Sequence, residues 1–115
     1  MSARSETLLW LAQRITAAIL AIAVIVHIAT IVMAMDGGLS AREIISRVQG
    51  NVAWLIFYLI FVIAVAVHAP IGLRTVMREV TSLSLPIINT VVIFVSLFLC
   101  VAGSRAIFGL YGIAG

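Results

Sequence analysis

Two histidines lie inside long apolar runs of a sequence that has few other groups able to do chemistry. His27 falls in a run of 21 uncharged residues, 15–35, and His68 falls in a run of 22, Val52 to Leu73. Ionisable residues in such runs are rare, and they usually face other helices or a cavity. A neutral imidazole is a strong ligand for haem iron. It also hydrogen-bonds neighbouring helices, so a ligand role and a packing role are both open for each histidine.

Small side chains accompany both histidines at helical spacing. They include Ala64, Gly72 and Thr75 around His68, and Thr16, Ala23, Thr30 and Ala34 around His27. Small residues would let a flat porphyrin approach the helix, and they also allow close packing between helices. This stripe alone does not decide between the two roles.

The positions of the histidines predict different depths in a membrane. His27 follows Arg14 by 13 residues, about 20 Å along a helix, and His68 precedes Arg74 by six, about 9 Å. The imidazoles then differ in depth by roughly 11 Å, too much to ligate one iron from opposite faces. If both bind haem, they bind different haems, and each second ligand comes from another chain.

Two arginines and a tryptophan lie near the edge of the membrane closest to His68. Arg14 and Arg74 could pair with carboxylates such as haem propionates, for which the guanidinium fork is well suited, or polarise a quinone carbonyl. They could equally extend to lipid headgroups. Trp10 could line the same pocket or belong to the aromatic belt of the interface.

The elements that carry these residues are predicted to be helices. A membrane span needs roughly 20 apolar residues, and the sequence offers three such runs, about 10–35, 52–73 and 86–104. Ser40 and Glu43 form a capping box that should begin a short interfacial helix over about 41–48. We therefore predict an all-α integral membrane chain, one domain over residues 1–115, with three transmembrane helices.

Composition supports the membrane assignment. Charged residues make up 10% of the chain and hydrophobic residues 64%, whereas soluble domains carry about 25% charged residues. The seven arginines, which account for the net charge of +3, flank the apolar runs, so they indicate topology rather than nucleic-acid binding. Four of them would be cytoplasmic and three outside if the N-terminus is cytoplasmic, and we expect that terminus to be retained.

Two segments resemble a known family. His68 to Glu79 resembles the H-x3-G-[IL]-R-x4-[DE] signature of the cytochrome b membrane anchor of succinate dehydrogenases and fumarate reductases. Gln13 to Ala17 is similar to that family's H-R-[IVL]-[ST]-G, although Gln13 and Ala17 replace its histidine and glycine. The resemblance covers about 70 residues, and the third span matches the family only in being apolar.

The resemblance implies specific roles for residues. His68 would be an axial ligand of haem b, and Arg14 would serve the quinone site and the haem propionates. Thr16, Gly72 and Arg74 belong to the matching segments, and Trp10 stands where many relatives have a quinone-contacting serine. His27 has a counterpart only in two-haem relatives, so one haem is expected and a second, held by His27, is the alternative.

The resemblance also implies partners and a function. The chain would anchor a flavoprotein subunit with FAD and an iron–sulfur subunit, and would complete a haem-binding bundle with a second anchor subunit. It would pass electrons between the iron–sulfur subunit and quinone in the bacterial cytoplasmic membrane, rather than the mitochondrial one, without being catalytic alone. The alternative is a non-redox assembly or structural subunit whose histidines pack helices. The direction of the reaction and the type of quinone stay open.

Overall fold

A computed structural model describes residues 2–111, and all of the elements in this part of the chain are helices. They are α1 (Ala3–Asp36), α2 (Ala41–Val48), α3 (Val52–Val80) and α4 (Leu85–Tyr111). Three of them, α1, α3 and α4, are long and apolar enough to cross a membrane. The expected all-α membrane architecture with three spanning helices is therefore confirmed.

The ends of the helices follow local capping chemistry. Ser40 accepts the backbone N–H of Glu43 at 3.3 Å and so begins α2 at the expected capping box. Asn51 begins α3 by accepting the backbone N–H of Ala53 at 3.0 Å. The chain reverses after α1 at Gly38 and after α2 at Gly50, whose φ angles of 67° and 75° lie in the left-handed region that favours glycine.

The long helices extend past their apolar runs, and this extension forms the site described below. α1 begins seven residues before the predicted span at about residue 10, and α3 continues seven residues past Leu73. No proline or glycine interrupts the polar residues there, so the backbone stays helical beyond the lipid-facing segment. Since α1 and α3 are antiparallel neighbours, their extended ends lie side by side. We call this region the Arg74 end of the bundle.

α3 lies between α1 and α4 and packs against both, whereas α2 packs on α4. Buried residues are few and mostly small or aliphatic, such as Ala23, Ala64 and Ile88. Large apolar side chains such as Phe94 and Phe98, each 69% exposed, cover the outside. Such a surface suits lipid or partner helices, because helix association in a bilayer relies on close packing rather than on the exclusion of water.

A proline within α3 is compensated by α4. Pro70 has no N–H, so the carbonyl of Ala66 loses its helical partner. The Ser96 hydroxyl on α4 donates to this carbonyl at 3.3 Å. A freed carbonyl at membrane depth needs such a partner. The Ser96–Ala66 hydrogen bond therefore connects α4 to the turn of α3 just before His68.

Candidate functional site

His68 is half-buried and its ring meets α1 at Thr16. The distance from His68 Nδ1 to Thr16 Oγ1 is 3.4 Å, and Thr16 is buried. The Thr16 hydroxyl donates its proton to the Ala12 carbonyl at 2.7 Å. Because a hydroxyl has only one proton, the Thr16 oxygen faces His68 as an acceptor, and this contact suits the tautomer that carries its proton on Nδ1. In that tautomer the Nε2 lone pair is available to bind a metal ion.

This arrangement fits axial haem ligation. Histidines that bind metals usually donate their other ring N–H to a fixed acceptor, which sets the tautomer and the orientation of the ring. Thr16 is such an acceptor for His68, and it comes from the neighbouring helix. The residues present therefore fit a haem at His68.

His27 has different surroundings. Its ring makes edge contacts with Tyr58 and Phe61 of α3, at centroid distances of 5.9 and 5.5 Å. Its Nδ1 atom is buried and finds no hydrogen-bond partner within residues 2–111. The acceptor that Thr16 provides for His68 has no equivalent here, so the aromatic contacts favour packing of α1 on α3.

The two imidazoles lie at different levels of the bundle, in keeping with their spacing. Tyr58 and Phe61, which contact His27, precede His68 by ten and seven residues, about 10 to 15 Å along α3. The small residues proposed to make room for a ligand are partly used for packing, since Ala23 and Ala64 are buried within the chain.

A cleft of about 700 Å³ lies at the Arg74 end, between the first turns of α1 and the last turns of α3. Three of the predicted site residues, Trp10, Gly72 and Arg74, line it together. Its remaining walls combine apolar side chains with several polar ones: Glu6, Leu9, Gln13, Ile71, Thr75, Val76, Arg78 and Glu79. Its volume is in the range of small-molecule sites, which is about 300 to 1,000 Å³.

The arginines of this region differ in their partners. Arg78 forms an ion pair with Glu6 at 3.9 Å. The guanidinium of Arg14 stacks over the Trp10 ring, 5.3 Å from its centroid, and Arg14 is exposed and does not line the cleft. Arg74 donates its Nε proton to Asn89 Oδ1 of α4 at 3.1 Å. Arg74 and Arg78 both line the cleft. Of these two, only Arg78 has a carboxylate partner in the described part of the chain.

Gln13 connects the cleft to the backbone of α3. Its Nε2 atom lies 3.1 Å from the place that a Cβ at Gly72 would occupy, so glycine lets the amide approach the helix closely. The Oε1 atom of Gln13 is buried and unpaired among the residues described. An acceptor in this position can receive a hydrogen bond from a bound molecule or a partner chain.

Sequence reasoning missed the contributions of Asn89 and Gln13. Gln13 counted only as a departure from a family motif, and Asn89 was hidden in a third span that resembled the family only in character. A signal did exist, since an amide inside an apolar span is costly and usually has a partner. The sequence could not identify Arg74 as that partner, because the two residues are 15 positions apart on different helices.

The fold and the site together define an integral membrane helical subunit with a polar cleft at one end of its bundle. The sequence model of the succinate dehydrogenase/fumarate reductase transmembrane subunit matches residues 1–104, and the chain belongs to this family. The resemblance seen in the sequence is thereby confirmed, and so is a place in a complex that has other subunits. Comparisons with curated proteins and with solved structures find no match.

Proposed function

We propose that the chain is the cytochrome b anchor that passes electrons between the iron–sulfur subunit of its complex and quinone. The observation that carries this proposal is the cleft at the Arg74 end, because it is large enough for a quinone ring and lies on the same helix as His68. Arg74, in its wall, follows His68 by only six residues, about 9 Å. The complex would lie in the bacterial cytoplasmic membrane with the Arg74 end and the N-terminus on the cytoplasmic side.

His68 is the residue proposed to hold haem b. When bound, haem b supplies one-electron redox chemistry within the membrane, at a potential set by its axial ligands and burial. Thr16 would accept the Nδ1–H of His68, so that the Nε2 lone pair would be the one to hold the iron. The second axial ligand would come from a second anchor subunit, because His27 lies at another level and packs against aromatic rings.

The cleft residues would bind and protonate quinone. Arg74 would donate to one quinone carbonyl and stabilise the negative charge that develops on its oxygen during reduction. Trp10 offers a flat apolar wall for the ring. Glu6 and Glu79 line the cleft, where carboxyl groups can relay the two protons that a quinone takes up with two electrons. The flavin chemistry belongs to the flavoprotein subunit.

A non-redox anchoring role is the second candidate, and one observation favours it. His27 and His68 both make contacts between α1 and α3 within this chain, so both have a packing role that needs no cofactor. An absorption spectrum of the purified complex separates the candidates. A reduced b-type α-band supports the electron-transfer role, whereas its absence in a normally assembled complex supports simple anchoring.

Substitution of Arg74 tests the quinone site. In Arg74→Gln we expect quinone-dependent activity to fall at least about ten-fold, the effect of losing one hydrogen bond to a charged donor. Activity with an artificial soluble acceptor should remain, because electrons then leave before reaching the cleft. Arg105→Gln is the matched control, since Arg105 is an arginine of α4 that does not line the cleft. Unchanged quinone-dependent activity in Arg74→Gln would contradict the proposed quinone site, whereas equal loss of both activities would indicate failed assembly of the complex.

Arg14→Ala should also lower quinone-dependent activity, but by less than Arg74→Gln does. The Arg14 guanidinium covers the Trp10 ring and does not itself line the cleft. Its loss would leave Trp10 less firmly held, and the quinone KM should rise while soluble-acceptor activity is kept. An effect larger than that of Arg74→Gln would indicate that Arg14 contacts the quinone directly.

A further inference from the structure

Asn89 fixes the position of the cleft arginine. The Nε–H of Arg74 donates to Asn89 Oδ1 at 3.1 Å, and both side chains are half-buried. The orientation of the amide follows from chemistry, because a guanidinium has only donors and the atom facing it must be the amide oxygen. One hydrogen bond through Nε thus holds the arginine from α4, and both terminal amino groups are without a hydrogen-bond partner among residues 2–111.

The acceptor is a neutral amide, so it brings no negative charge next to the Arg74 guanidinium. Arg78, on the next turn, has the carboxylate of Glu6 at 3.9 Å. Arg74 has no acidic group within 4.0 Å among residues 2–111, although Glu79 lines the same cleft. A carboxylate at position 89 would hold the arginine equally well but would neutralise it. An amide orients the arginine without removing its charge.

We propose that Asn89 is a positioning residue, which holds Arg74 by Nε so that its charged terminal N–H groups bind an electron-rich oxygen in the cleft. This inference rests on the proposed function. The oxygen can belong to a quinone carbonyl or to a haem propionate, because both accept from a guanidinium fork. The inference makes α4 part of the site, although no residue of α4 lines the cleft.

A purely structural reading of the same hydrogen bond predicts different behaviour. If Asn89 only connected α4 to α3, an aspartate there would strengthen the connection, and the complex would behave like its parent. The chain offers a second α4–α3 hydrogen bond for comparison, from Ser96 to the Ala66 carbonyl. Neither Ser96 nor Ala66 lines the cleft at the Arg74 end.

The test compares Asn89→Leu, Asn89→Asp and Ser96→Ala in the complete membrane-bound complex. Leucine removes the acceptor, and aspartate keeps the acceptor but cancels the charge. We expect both Asn89 variants to raise the quinone KM about ten-fold with unchanged soluble-acceptor activity if the oxygen is a quinone carbonyl. If it is a propionate, both variants should instead lower the midpoint potential of the haem in a redox titration. Ser96→Ala should lower thermal stability alone.

Three outcomes would overturn the inference. The first is an unchanged quinone KM and haem potential in Asn89→Leu. The second is a quinone KM and haem potential in Asn89→Asp equal to those of the parent while Asn89→Leu is impaired. The third is a rise of the quinone KM in Ser96→Ala as large as that in Asn89→Leu. Arg74→Gln separates this inference from the proposed function. If Arg74→Gln changes neither quinone kinetics nor the potential, the quinone site itself is wrong. If it impairs them while both Asn89 variants match the parent, only the role of Asn89 is wrong.

Discussion

Thr16→Val removes a single oxygen atom from the site and is the sharpest test of how His68 is held. Valine keeps the β-branched shape of threonine and fills the same buried space. In the parent chain the Thr16 hydroxyl donates a hydrogen bond to the Ala12 carbonyl, and its oxygen is the acceptor that faces Nδ1 of His68. In the variant, the Ala12 carbonyl keeps its place in the helix, but the imidazole loses its acceptor. Neither its tautomer nor its ring orientation is then fixed.

The size of the effect follows from the geometry. The Nδ1–Oγ1 distance of 3.4 Å is longer than a typical N–H···O hydrogen bond of 2.7–3.2 Å. We therefore expect this hydrogen bond to contribute only about 1 kcal/mol to holding the imidazole in place. Water cannot easily replace the hydroxyl, because Thr16 is only 8% exposed. Loss of an acceptor behind a metal-binding histidine usually lowers metal affinity 10- to 100-fold, whereas 1 kcal/mol corresponds to about five-fold, so we expect haem affinity to fall about five- to ten-fold.

Haem titration of the purified complex, followed by absorption, measures this change. Thr16→Ser keeps the hydroxyl and should bind haem like the parent. Thr30→Val is the second control, because the Thr30 hydroxyl bonds to the His27 carbonyl and not to an imidazole ring. A Thr16→Val complex with parental haem affinity and spectrum would refute the assignment of Thr16 as the acceptor that orients His68.

Three further substitutions test the remaining site and the packing. His68→Ala should abolish the b-type spectrum of the haem at the Arg74 end, because alanine offers no ligand, and an unchanged spectrum would disprove the assignment of His68. His27→Ala should leave the haem-to-flavin ratio of the complex at one, whereas a fall from two to one would show that His27 binds a second haem. Gly103→Ala should lower the melting temperature of the complex by several degrees, because a Cβ there would lie 2.6 Å from Val62 Cγ1. Gly109→Ala is its control, because no atom of residues 2–111 that could clash lies within 4 Å of the new Cβ, and it should be neutral or slightly stabilising.

The helices were predictable because each is encoded locally. Long uncharged runs, a capping serine at Ser40 and glycine at the chain reversals depend on neighbouring residues only. The extension of α3 to Val80 was less evident, since apolar length marks the lipid-facing segment and not the end of the helix. Met77, Arg78 and Glu79, which have good helix propensity, continue α3 past Arg74.

The candidate site was predictable only in part. The grouping of Trp10, Gly72 and Arg74 followed from antiparallel spans and a family motif. The Thr16–His68 contact and the Arg74–Asn89 hydrogen bond depend on the rotation of each helix about its axis, which packing determines and hydropathy does not report. For the same reason, no sequence pattern indicated that Arg14 would be absent from the walls of the cleft, although its contact with Trp10 is the local one expected four residues apart on a helix.

The order of synthesis gives the Ser96–Ala66 hydrogen bond a consequence for biogenesis. α3 leaves the ribosome before α4, so the Ala66 carbonyl opposite Pro70 enters the bilayer without its hydroxyl partner. The hydrogen bonding of α3 and the orientation of Arg74 are both completed only when α4 inserts beside it. A nascent chain that ends before Leu85 would contain His68 and both walls of the cleft, yet it would lack both hydrogen bonds from α4. Such a chain would carry unpaired polar groups within the membrane, so α3 is less stable there until α4 has inserted.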